Sequence, residues 1–556
     1  MSLFSGFEIG RKALAAHQAV LDTVGHNLAN VATRGYARQR AELVAVAPRN
    51  GVEVAQIRRL RDRFLDVQLI QEGGGLGRAQ AQVNLLQRLE SIFTEDPEAG
   101  LGATLSRFFR AFQDLSVHPT DPALRVTVKE AGAQVAATFR DLRGGLDVLK
   151  ADLVTEIESR VSAANGLVTE IAELNRRIVA ARGGGLEPSD LLDRRDLLVA
   201  QLSEIAGVAA SDNENGSVRV TIAGTGVRLL DGDLVSTLTV ALDGSTNTVR
   251  LQVDDEVVAP QSGALAALVG ARNSPTGPIS QAASDLDALA RSIIDEVNRL
   301  HASGAGLTGH ATLTAANAVS SSTVALTAAG LPSSPLTGAF RIVVHDSAGS
   351  VASTVDVSVT AGVTTLEDVR SAIDADPNLT ATISAGILTV SAASGMTYAF
   401  ASDTSDTLLA LGLNTFFTGT DALTIGESPL VAGDVAKIAA ARVDSTGLVH
   451  RGDGENALAL ARLRTKPTLR GGTATFVDFL GTLVSRVGSE ARDATQALDR
   501  QEAAVELVEN LQQQTSGVST DEELLTLTQA QHAYAAAARY ISTLNDVIDS
   551  LFQITR

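Results

Sequence analysis

The chain has 556 residues, a formal net charge of −19, and neither cysteine nor tryptophan. At roughly 100 to 200 residues per domain, this length predicts about three or four domains with buried cores. The acidic balance argues against nucleic acid as a partner, because phosphate binding requires clustered Lys and Arg. The absence of cysteine excludes disulfides, thiolate metal sites and cysteine nucleophiles.

The opening residues, MSLFSGFEIGRKAL, contain Glu8, Arg11 and Lys12. They therefore lack the apolar core of a secretory signal peptide. No run of about 18 apolar residues occurs elsewhere in the sequence, so we expect no membrane span and no membrane partner. If the protein leaves the cell, we expect it to use a route other than the usual signal.

Apolar residues recur every seven positions in the first part of the chain. One line holds Phe7, Leu14, Leu21 and Leu28, and the neighbouring line holds Leu3, Val24 and Val31, interrupted by Gly10 and His17. Ser5 and Glu8 predict a capping box at the start of this helix. Gly35 offers the positive backbone angle that would end it. We predict a coiled-coil segment over residues 1–40.

The last part of the chain has the same period. One line holds Leu527, Tyr534, Ile541 and Ile548, and the other holds Ala530, Ala537, Leu544 and Leu551. Thr520 with Glu523, or Ser519 with Glu522, would cap the start of this helix. We predict a second coiled-coil segment over residues 515–556.

The two terminal segments carry opposite charge. Residues 1–40 contain five basic and two acidic residues, for +3, and residues 515–556 contain two basic and five acidic residues, for −3. Opposite charge favours pairing of the two segments, and of the same helices in neighbouring molecules. The alternative is that each segment is an ordinary amphipathic helix packed on its own domain.

Charged, periodic segments between the ends predict a shell of long helices. They cover residues 76–93, 100–117, 123–182, 189–206, 279–300 and 473–514. The glycine run EGGGLG at 72–77 predicts a hinge between helices. We place the helical shell over residues 41–310, with a return over 416–514.

Two regions instead have the alternating pattern of β-strands. Residues 208–258 form a β-rich hairpin region within the shell, and residues 311–415 form an inserted β-rich outer domain. A short helix within the insert, TLEDVRSAIDA, would be capped by Thr364 with Glu367. The predicted fold class is multidomain α+β, in which terminal coiled-coil helices and a long-helix shell enclose inserted β-rich domains.

No residue pattern indicates catalysis, a cofactor or a metal. Gly224-Thr-Gly226 lacks the third glycine of a dinucleotide-binding loop and predicts a hairpin turn. His301 and His310 have no third ligand at metal spacing, and no nucleophile elbow accompanies the Ser, Asp and His residues. We expect Asn27 and Asn30 to satisfy carbonyl groups at a helix end, an amide ladder between subunits being the alternative.

Both terminal blocks resemble a known family. The block Asn27-Leu28-Ala29-Asn30, Thr33, Gly35-Tyr36 and Arg38-Gln39 resembles the opening motif of the axial proteins of the bacterial flagellum, and GVSTDEELLTLTQAQHAYAAAARYISTLNDVIDSL resembles their closing motif. VNRLHASGAGLTG at 297–309, FFTGTDALTIG at 416–426 and ENALALARL at 455–463 are similar to the hook-associated group of that family. The resemblance covers roughly 1–310 and 410–556, and residues 311–410 match no family motif.

The resemblance implies a structural, non-enzymatic subunit of a ring that joins the flagellar hook to the filament. Its implied partners are further copies of itself, the hook protein, the second junction protein and an export chaperone on the C-terminal helix. Its implied location is extracellular, after export by the flagellar type III apparatus. The predicted assembly interface consists of Phe7, Leu14, Leu21, Leu28, Asn27, Asn30, Gly35, Tyr36, Leu527, Tyr534, Ile541, Leu544, Ile548 and Leu551.

Two alternatives stay open at this point. The chain could be another axial protein, such as a hook or distal-rod protein. It could also be a secreted surface protein whose insert binds or cleaves a ligand, with the flagellar ends used for delivery only.

Overall fold

Long helices dominate the computed structural model, which describes residues 3–46, 51–94, 98–184 and 187–554. The helices are α1 (Leu3–Ala29), α2 (Arg63–Ile92), α3 (Leu101–Val117), α4 (Pro122–Gly183), α5 (Ser189–Ala206), α6 (Gly263–Asn273), α7 (Pro278–Ala302), α8 (Leu366–Asp374), α9 (Thr407–Leu411), α10 (Pro429–Gly433), α11 (Glu455–Arg462), α12 (Phe476–Ser516) and α13 (Thr520–Ile554). Short 3-10 helices occur at Leu326–Ala328, Val435–Lys437 and Leu463–Thr465. The helices predicted at 100–117, 123–182, 189–206 and 279–300 are confirmed.

The chain divides into two compact units. Unit 1 contains residues 1–87, 151–277 and 491–556, and unit 2 contains residues 88–150 and 278–490. Helices α2, α4 and α12 contribute residues to both units. The fold is therefore mixed α and β, with long terminal helices and an inserted β-sheet region.

The strands of unit 1 form antiparallel sheets. Strands β1 (Gln39–Ala45) and β2 (Val52–Arg59) form a hairpin; β3 (Val208–Asp212), β4 (Val218–Ile222), β5 (Arg228–Asp231) and β6 (Leu234–Val235) form a sheet in that order; and β7 (Leu238–Asp243), β8 (Thr248–Val253) and β9 (Glu256–Val258) form another. Gly224 and Gly226 have φ of +80° and +75° in the turn between β4 and β5. The hairpin turn predicted for this glycine pair is confirmed.

Two asparagines on α4 attach these sheets to the helix. Asn175 donates from Nδ2 to the carbonyls of Val218 and Gly232, and its Oδ1 accepts from the Val218 N–H. Asn165 makes the same paired bonds with the backbone of Leu238. Because a paired side-chain amide fixes both position and direction, α4 holds the first residues of β4 and β7 in place.

The glycine run at 72–77 is not a hinge, which corrects the prediction. Helix α2 continues through it without a break. A Cβ built on Gly77 would lie 1.8 Å from the carbonyl oxygen of Glu204 on α5, and one on Gly74 would lie 3.1 Å from Ser203 Oγ. The missing side chains let two helices approach closely, and this packing outweighs the low helix propensity of glycine.

Unit 2 is built around phenylalanine. Phe108 on α3 has its ring centroid 5.4 Å from that of Phe416 and 5.5 Å from that of Phe417, while Phe109 stacks on Phe476 at 5.8 Å. A Cβ on Gly132 of α4 would lie 2.5 Å from Phe416 Cε1. Aromatic rings at these separations anchor α3, α4 and the segment around Phe416 in one core.

The remaining strands also belong to unit 2. Strands β10 (Thr312–Thr314), β14 (Ile387–Ala392) and β13 (Leu379–Ser384) form a sheet in the order β10-β14-β13; β12 (Val351–Val359), β11 (Gly338–His345) and β15 (Thr397–Asp403) form another in the order β12-β11-β15; and β16 (Phe417–Thr418) pairs with β17 (Gly426–Glu427). The inner faces of the two larger sheets meet helix α8 in a core that includes Phe340, Ile342, Leu388, Val390 and Phe400.

The predicted cap of the short insert helix is one residue early. Thr365, rather than Thr364, is the N-cap of α8, and its hydroxyl accepts from the Asp368 N–H. The Asp368 side chain accepts in return from the Thr365 N–H at 2.9 Å, so the third residue of the box is Asp368 rather than Glu367. Neighbouring Thr and acidic residues offered two equivalent registers for one capping box.

Candidate assembly site

Helices α1 and α13 lie against each other within unit 1. A Cβ built on Gly10 would lie 2.5 Å from Ile541 Cγ1, and one on Gly6 would lie 3.1 Å from Leu544 Cδ1. Two glycines four residues apart on one helix face therefore allow the close approach. Gly10, which interrupts an apolar line in the sequence, is a contact residue in the structure.

The buried stripe of α1 is displaced from the predicted line. Its buried residues are Gly6, Gly10, Ala16, Thr23, Val24 and Asn27. Phe7, Leu14, Leu21 and Leu28 of the predicted line are half-buried, as are Leu527, Ile541, Leu544 and Ile548 on α13. Tyr534 and Leu551 are exposed. A single chain thus leaves part of both apolar lines open to solvent.

The ends of these helices differ in part from the sequence predictions. Helix α1 already includes Leu3, so Ser5 lies inside the helix and does not cap it. Gly35 has the predicted positive φ, +81°, but α1 ends at Ala29 and Gly35 belongs to the turn that follows. At the start of α13, Ser519 Oγ accepts from the Glu522 N–H at 3.5 Å, which supports the Ser519 alternative.

Asn27 is the centre of the site. Its side chain is 1% exposed. Oδ1 accepts from the Gln39 N–H at 2.9 Å and the Tyr36 hydroxyl at 2.7 Å, and Nδ2 donates to the Gln39 carbonyl at 2.9 Å and to Glu523 Oε2 at 3.1 Å. One amide therefore joins the end of α1, the start of β1 and the first turn of α13.

The two predicted asparagines have different roles. Asn30 donates from Nδ2 to the His26 carbonyl at 3.0 Å, so it satisfies a carbonyl at the helix end as predicted. Asn27 does not, because its partners lie in β1, the turn and α13. The Tyr36 ring also packs edge-on against His26 at 5.6 Å. Burial, followed by the nearby Asp190, raises the Tyr36 pKa, so its hydroxyl stays a donor to Asn27.

An ion pair closes the same junction. Arg38 Nε donates to Glu523 Oε1 at 2.6 Å, and Arg38 Nη1 donates to Glu522 Oε2 at 2.7 Å. The Glu523 side chain is 2% exposed and that of Arg38 is 22% exposed, whereas Glu522 is 65% exposed. The Arg38 N–H also donates to the Ser516 carbonyl at 2.9 Å. Arg38 thus holds both the end of α12 and the start of α13.

Side chains of helix α5 hydrogen-bond to the segment between α1 and β1 and to the first residue of β1. Asp193 Oδ2 accepts from the Ala37 N–H at 3.0 Å, and Asp193 Oδ1 accepts from Arg59 Nη1 at 2.7 Å. Burial raises the Asp193 pKa, and the Ala37 N–H and Arg59 oppose this rise. Asp190 accepts from Gln39 Nε2 at 3.1 Å. These bonds hold the Ala37 backbone and the Gln39 side chain, on either side of Arg38, against α5.

Two clefts adjoin the junction inside unit 1. One of about 640 Å³ lies between the turn at 30–38 and the α12–α13 connection at 512–519. The other, of about 210 Å³, is lined by Arg59, Arg61, Arg63 and Arg195 together with Asp66, Asp196 and Asp212. Within the described ranges, no three His, Asp or Glu side chains are grouped to hold a metal ion. No helix among the described residues is long and apolar enough to cross a membrane.

Sequence reasoning missed several residues of the junction. Gly6, Glu523 and Asp193 were not predicted as site residues, and Gly10 was treated as an interruption. Two glycines at a spacing of four on an amphipathic helix were the available signal for Gly6 and Gly10. Glu523 was considered only as a capping residue and Asp193 not at all, because their partners Asn27 and Ala37 lie 496 and 156 positions away.

Comparison with protein families gives two matches. The flagellar hook-associated protein FlgK helical domain matches residues 86–314. The C-terminal family of the flagellar basal body rod FlgEFG proteins matches residues 512–554. The second match spans all of α13, Thr520–Ile554, the helix that carries Glu523.

Several characterised proteins align with nearly the whole chain. Flagellar hook-associated protein 1 of Bacillus subtilis is 26% identical over 592 residues, covering 99% of this chain and 98% of that protein. The proteins of the same name from Salmonella typhimurium and Escherichia coli are each 26% identical and cover 97% of this chain and 98% of their own length.

A solved structure has the same fold. The flagellar hook junction protein FlgK from Burkholderia pseudomallei superposes with a TM-score of 0.52 at 17% identity, covering 82% of this chain and all of that one. The chain is therefore similar to flagellar hook-associated protein 1 over nearly its whole length, as the terminal blocks together with the motifs at 297–309, 416–426 and 455–463 predicted.

Proposed function

We propose that this protein is a structural subunit of the junction between the flagellar hook and the filament. The observation that carries this proposal is the alignment of 97% to 99% of the chain with proteins named flagellar hook-associated protein 1. A match confined to the terminal helices would have indicated only an axial protein of some kind. The extended match includes the helical domain at 86–314.

The subunits would join one another through their terminal helices. Phe4, Tyr534, Tyr540, Val547 and Leu551 are exposed apolar side chains on α1 and α13. Apolar side chains clustered on a helix favour association when a partner covers them. In a ring, neighbouring copies would cover them, so that α1 and α13 form a coiled coil whose seam includes the ten apolar predicted interface residues on these helices. The other four, Asn27, Asn30, Gly35 and Tyr36, would hold the junction within each subunit.

The other segments would meet the neighbouring components of the flagellum. The helical shell, residues 41–310 and 416–514, would contact the hook protein on one side and the second junction protein on the other. The insert at 311–415 would face outward. The support for the shell contacts is the family match over α3 to α7.

Before assembly, an export chaperone would bind α13. Its exposed residues Leu524, Leu525, Tyr540 and Val547 are the support, because an uncovered apolar helix face promotes aggregation. The flagellar type III apparatus would then deliver the chain to its extracellular position. The protein would act mechanically and not as an enzyme, in keeping with the structural role of the family that it resembles.

The two other candidate functions have weaker support. A hook or distal-rod protein would share the C-terminal helix, which the rod-protein match at 512–554 reflects. That match does not extend into the rest of the chain, whereas the hook-associated proteins align throughout. A ligand-binding surface protein would require a site in the insert, and no comparison points to one.

The test is a strain that lacks this protein. We expect complete hooks without filaments, filament protein shed into the medium and no swimming. Expression of the full-length chain in the same strain should restore filaments. Normal filaments in the deletion strain, or loss of the hooks themselves, would refute the junction assignment.

A further inference from the structure

Two histidines lie buried in unit 2 just before the chain enters the insert. His301, at the end of α7, is 0% exposed, and His310, just before β10, is 5% exposed. This entering segment pairs with a segment that follows the insert. Ala305 and Ala441 bond to each other's backbone in both directions, and the Leu307 N–H donates to the Ala436 carbonyl at 2.8 Å. We call residues 301–310 and 434–441 the base of the insert.

The partners of His301 require a neutral ring. The Ala439 N–H donates to His301 Nε2 at 3.0 Å, so Nε2 must carry a lone pair. His301 Nδ1 lies 2.7 Å from the Asn414 carbonyl, an acceptor, so Nδ1 must carry the hydrogen. A second proton on Nε2 would point one N–H at another and break the bond to Ala439.

The surroundings of His310 also disfavour a protonated, positively charged ring. Within the described part of the chain, His310 Nδ1 and Asn414 Oδ1 are both buried without a hydrogen-bond partner. The Asn414 side chain favours the protonated ring, but burial outweighs it and lowers the His310 pKa. Asn414 has a φ of +54°, and its Nδ2 donates to the carbonyls of residues 301, 302 and 304. The Tyr398 ring lies 5.6 Å from that of His310 and offers no counter-charge.

The charged groups near the base are mainly positive. Arg125 on α4 is buried and donates to the carbonyls of Val435 and Ile438, and Lys437 donates to the Gly309 carbonyl at 2.6 Å. Asp434 is the acidic group that faces these two cations. Burial lowers the pKa of His301 to about 4 and that of His310 to about 3. Arg125 and Lys437 respectively add to this lowering of the pKa, and Asn414 opposes it at both rings.

We propose that His301, His310 and Asn414 form an acid-sensitive latch, closed at the base of the insert while both rings are neutral and opened when the rings gain protons. The unfolded segment binds these protons near pH 6.5, and the closed base binds them only near pH 4 and 3. Closure is therefore fully stable above pH 6.5 and weakens as the pH falls toward 4. Each histidine changes the opening equilibrium up to tenfold per pH unit in this window.

Hydrogen exchange of the full-length chain tests the latch. The exchange rates, corrected for intrinsic exchange, give the equilibrium constant for opening of residues 301–310 and 434–441, called here the opening constant. Between pH 7.5 and pH 5.0 this constant should rise by about 30-fold for each histidine. The reference is helix α3, Leu101–Val117 in the same unit, whose protection should change less than threefold. Equal protection of the base at both pH values would overturn the proposal.

Substitutions assign the effect to the latch. His301→Gln keeps a donor for Asn414 and an acceptor for Ala439 without the titration, so its opening constant should rise about 30-fold less than that of the wild type. His118→Gln, a change of an exposed histidine in the same unit, should behave as the wild type does. If the opening constant of the His301→Gln variant rose as much as that of the wild type, the proposal would be overturned.

A second measurement needs no variant. In NMR spectra of the wild-type chain with labelled histidine, two of the eight ring signals should keep their neutral positions down to about pH 5.5 and change only when the base opens. If all eight signals titrated near pH 6.5 while the base stayed protected, the proposal would be wrong.

Discussion

At the scale of single residues, Asn27 decides how the end of α1 is held. Its four hydrogen bonds reach Tyr36, both backbone groups of Gln39 and Glu523. Asn27→Ala leaves several buried groups unpaired, and we expect unit 1 to lose about 2–4 kcal/mol of unfolding free energy. Asn30→Ala is the matched control and should cost at most about 1 kcal/mol. Urea titration followed by hydrogen exchange of α1 would measure both, and equal costs would contradict the role assigned to Asn27.

Glu523 and Glu522 form a second matched pair. Both accept from Arg38, but Glu523 is buried and Glu522 is exposed. Glu523→Ala removes the buried partner of Arg38 and of Asn27, and we expect a loss of about 3 kcal/mol. Glu522→Ala should cost at most about 1 kcal/mol, because water screens an exposed pair. The same denaturation series would show the difference, and a larger cost for Glu522→Ala would reverse the assignment.

A substitution at Tyr534 should affect assembly of the subunit but not its folding. Its side chain is 36% exposed in the single chain, so Tyr534→Asp should leave secretion and folding unchanged. In the proposed ring, the carboxylate would be desolvated without a partner at a cost of several kcal/mol, so filaments should fail to form. Arg539→Ala is the exposed control. Normal filaments from the Asp variant would show that the Tyr534 face is not buried in the ring.

At the scale of elements, the two glycines of α1 set its distance from α13. Gly10→Leu would drive a side chain into Ile541, and we expect a loss of about 1–3 kcal/mol together with weaker protection of α13. Gly25→Ala is the control on the same helix, because nothing lies within 4 Å of a Cβ there. It should stabilise the helix by up to about 1 kcal/mol. The thermal unfolding temperature should therefore fall in Gly10→Leu and rise in Gly25→Ala, relative to the wild type.

Helix positions were predictable because apolar periodicity is a local signal. The segment predicted at 123–182 is α4, Pro122–Gly183, within a residue at each end. The glycine run at 72–77 was read wrongly, because its role depends on Glu204 and Ser203, more than 100 positions away. The insert cap was placed one residue early because adjacent Thr and acidic residues offered two registers.

The junction between α1 and α13 was predictable only in outline. The heptad lines and opposite charges indicated that the two segments pair, and the structure places α1 against α13. The buried polar contacts were not predictable, because a side chain such as Asp193 has many surface counterparts of the same type. A local pattern identifies a helix face, but it does not identify the partner that satisfies a buried amide.

At the scale of the whole molecule, the contact between α1 and α13 joins residues 496 positions apart in the sequence. Helix α1 therefore finds its partner only when the last helix is present. This couples the two terminal segments into one element, with apolar side chains still exposed on its surface. In the proposed ring, neighbouring copies would cover these side chains.

The central claim, that this chain occupies the hook–filament junction, is tested most directly by its position in isolated flagella. Immunogold electron microscopy with an antibody against residues 311–415 would show that position without altering the terminal helices. We predict label in one narrow band between hook and filament. Label along the hook, at the rod or along the filament, or no label on intact flagella, would contradict the account.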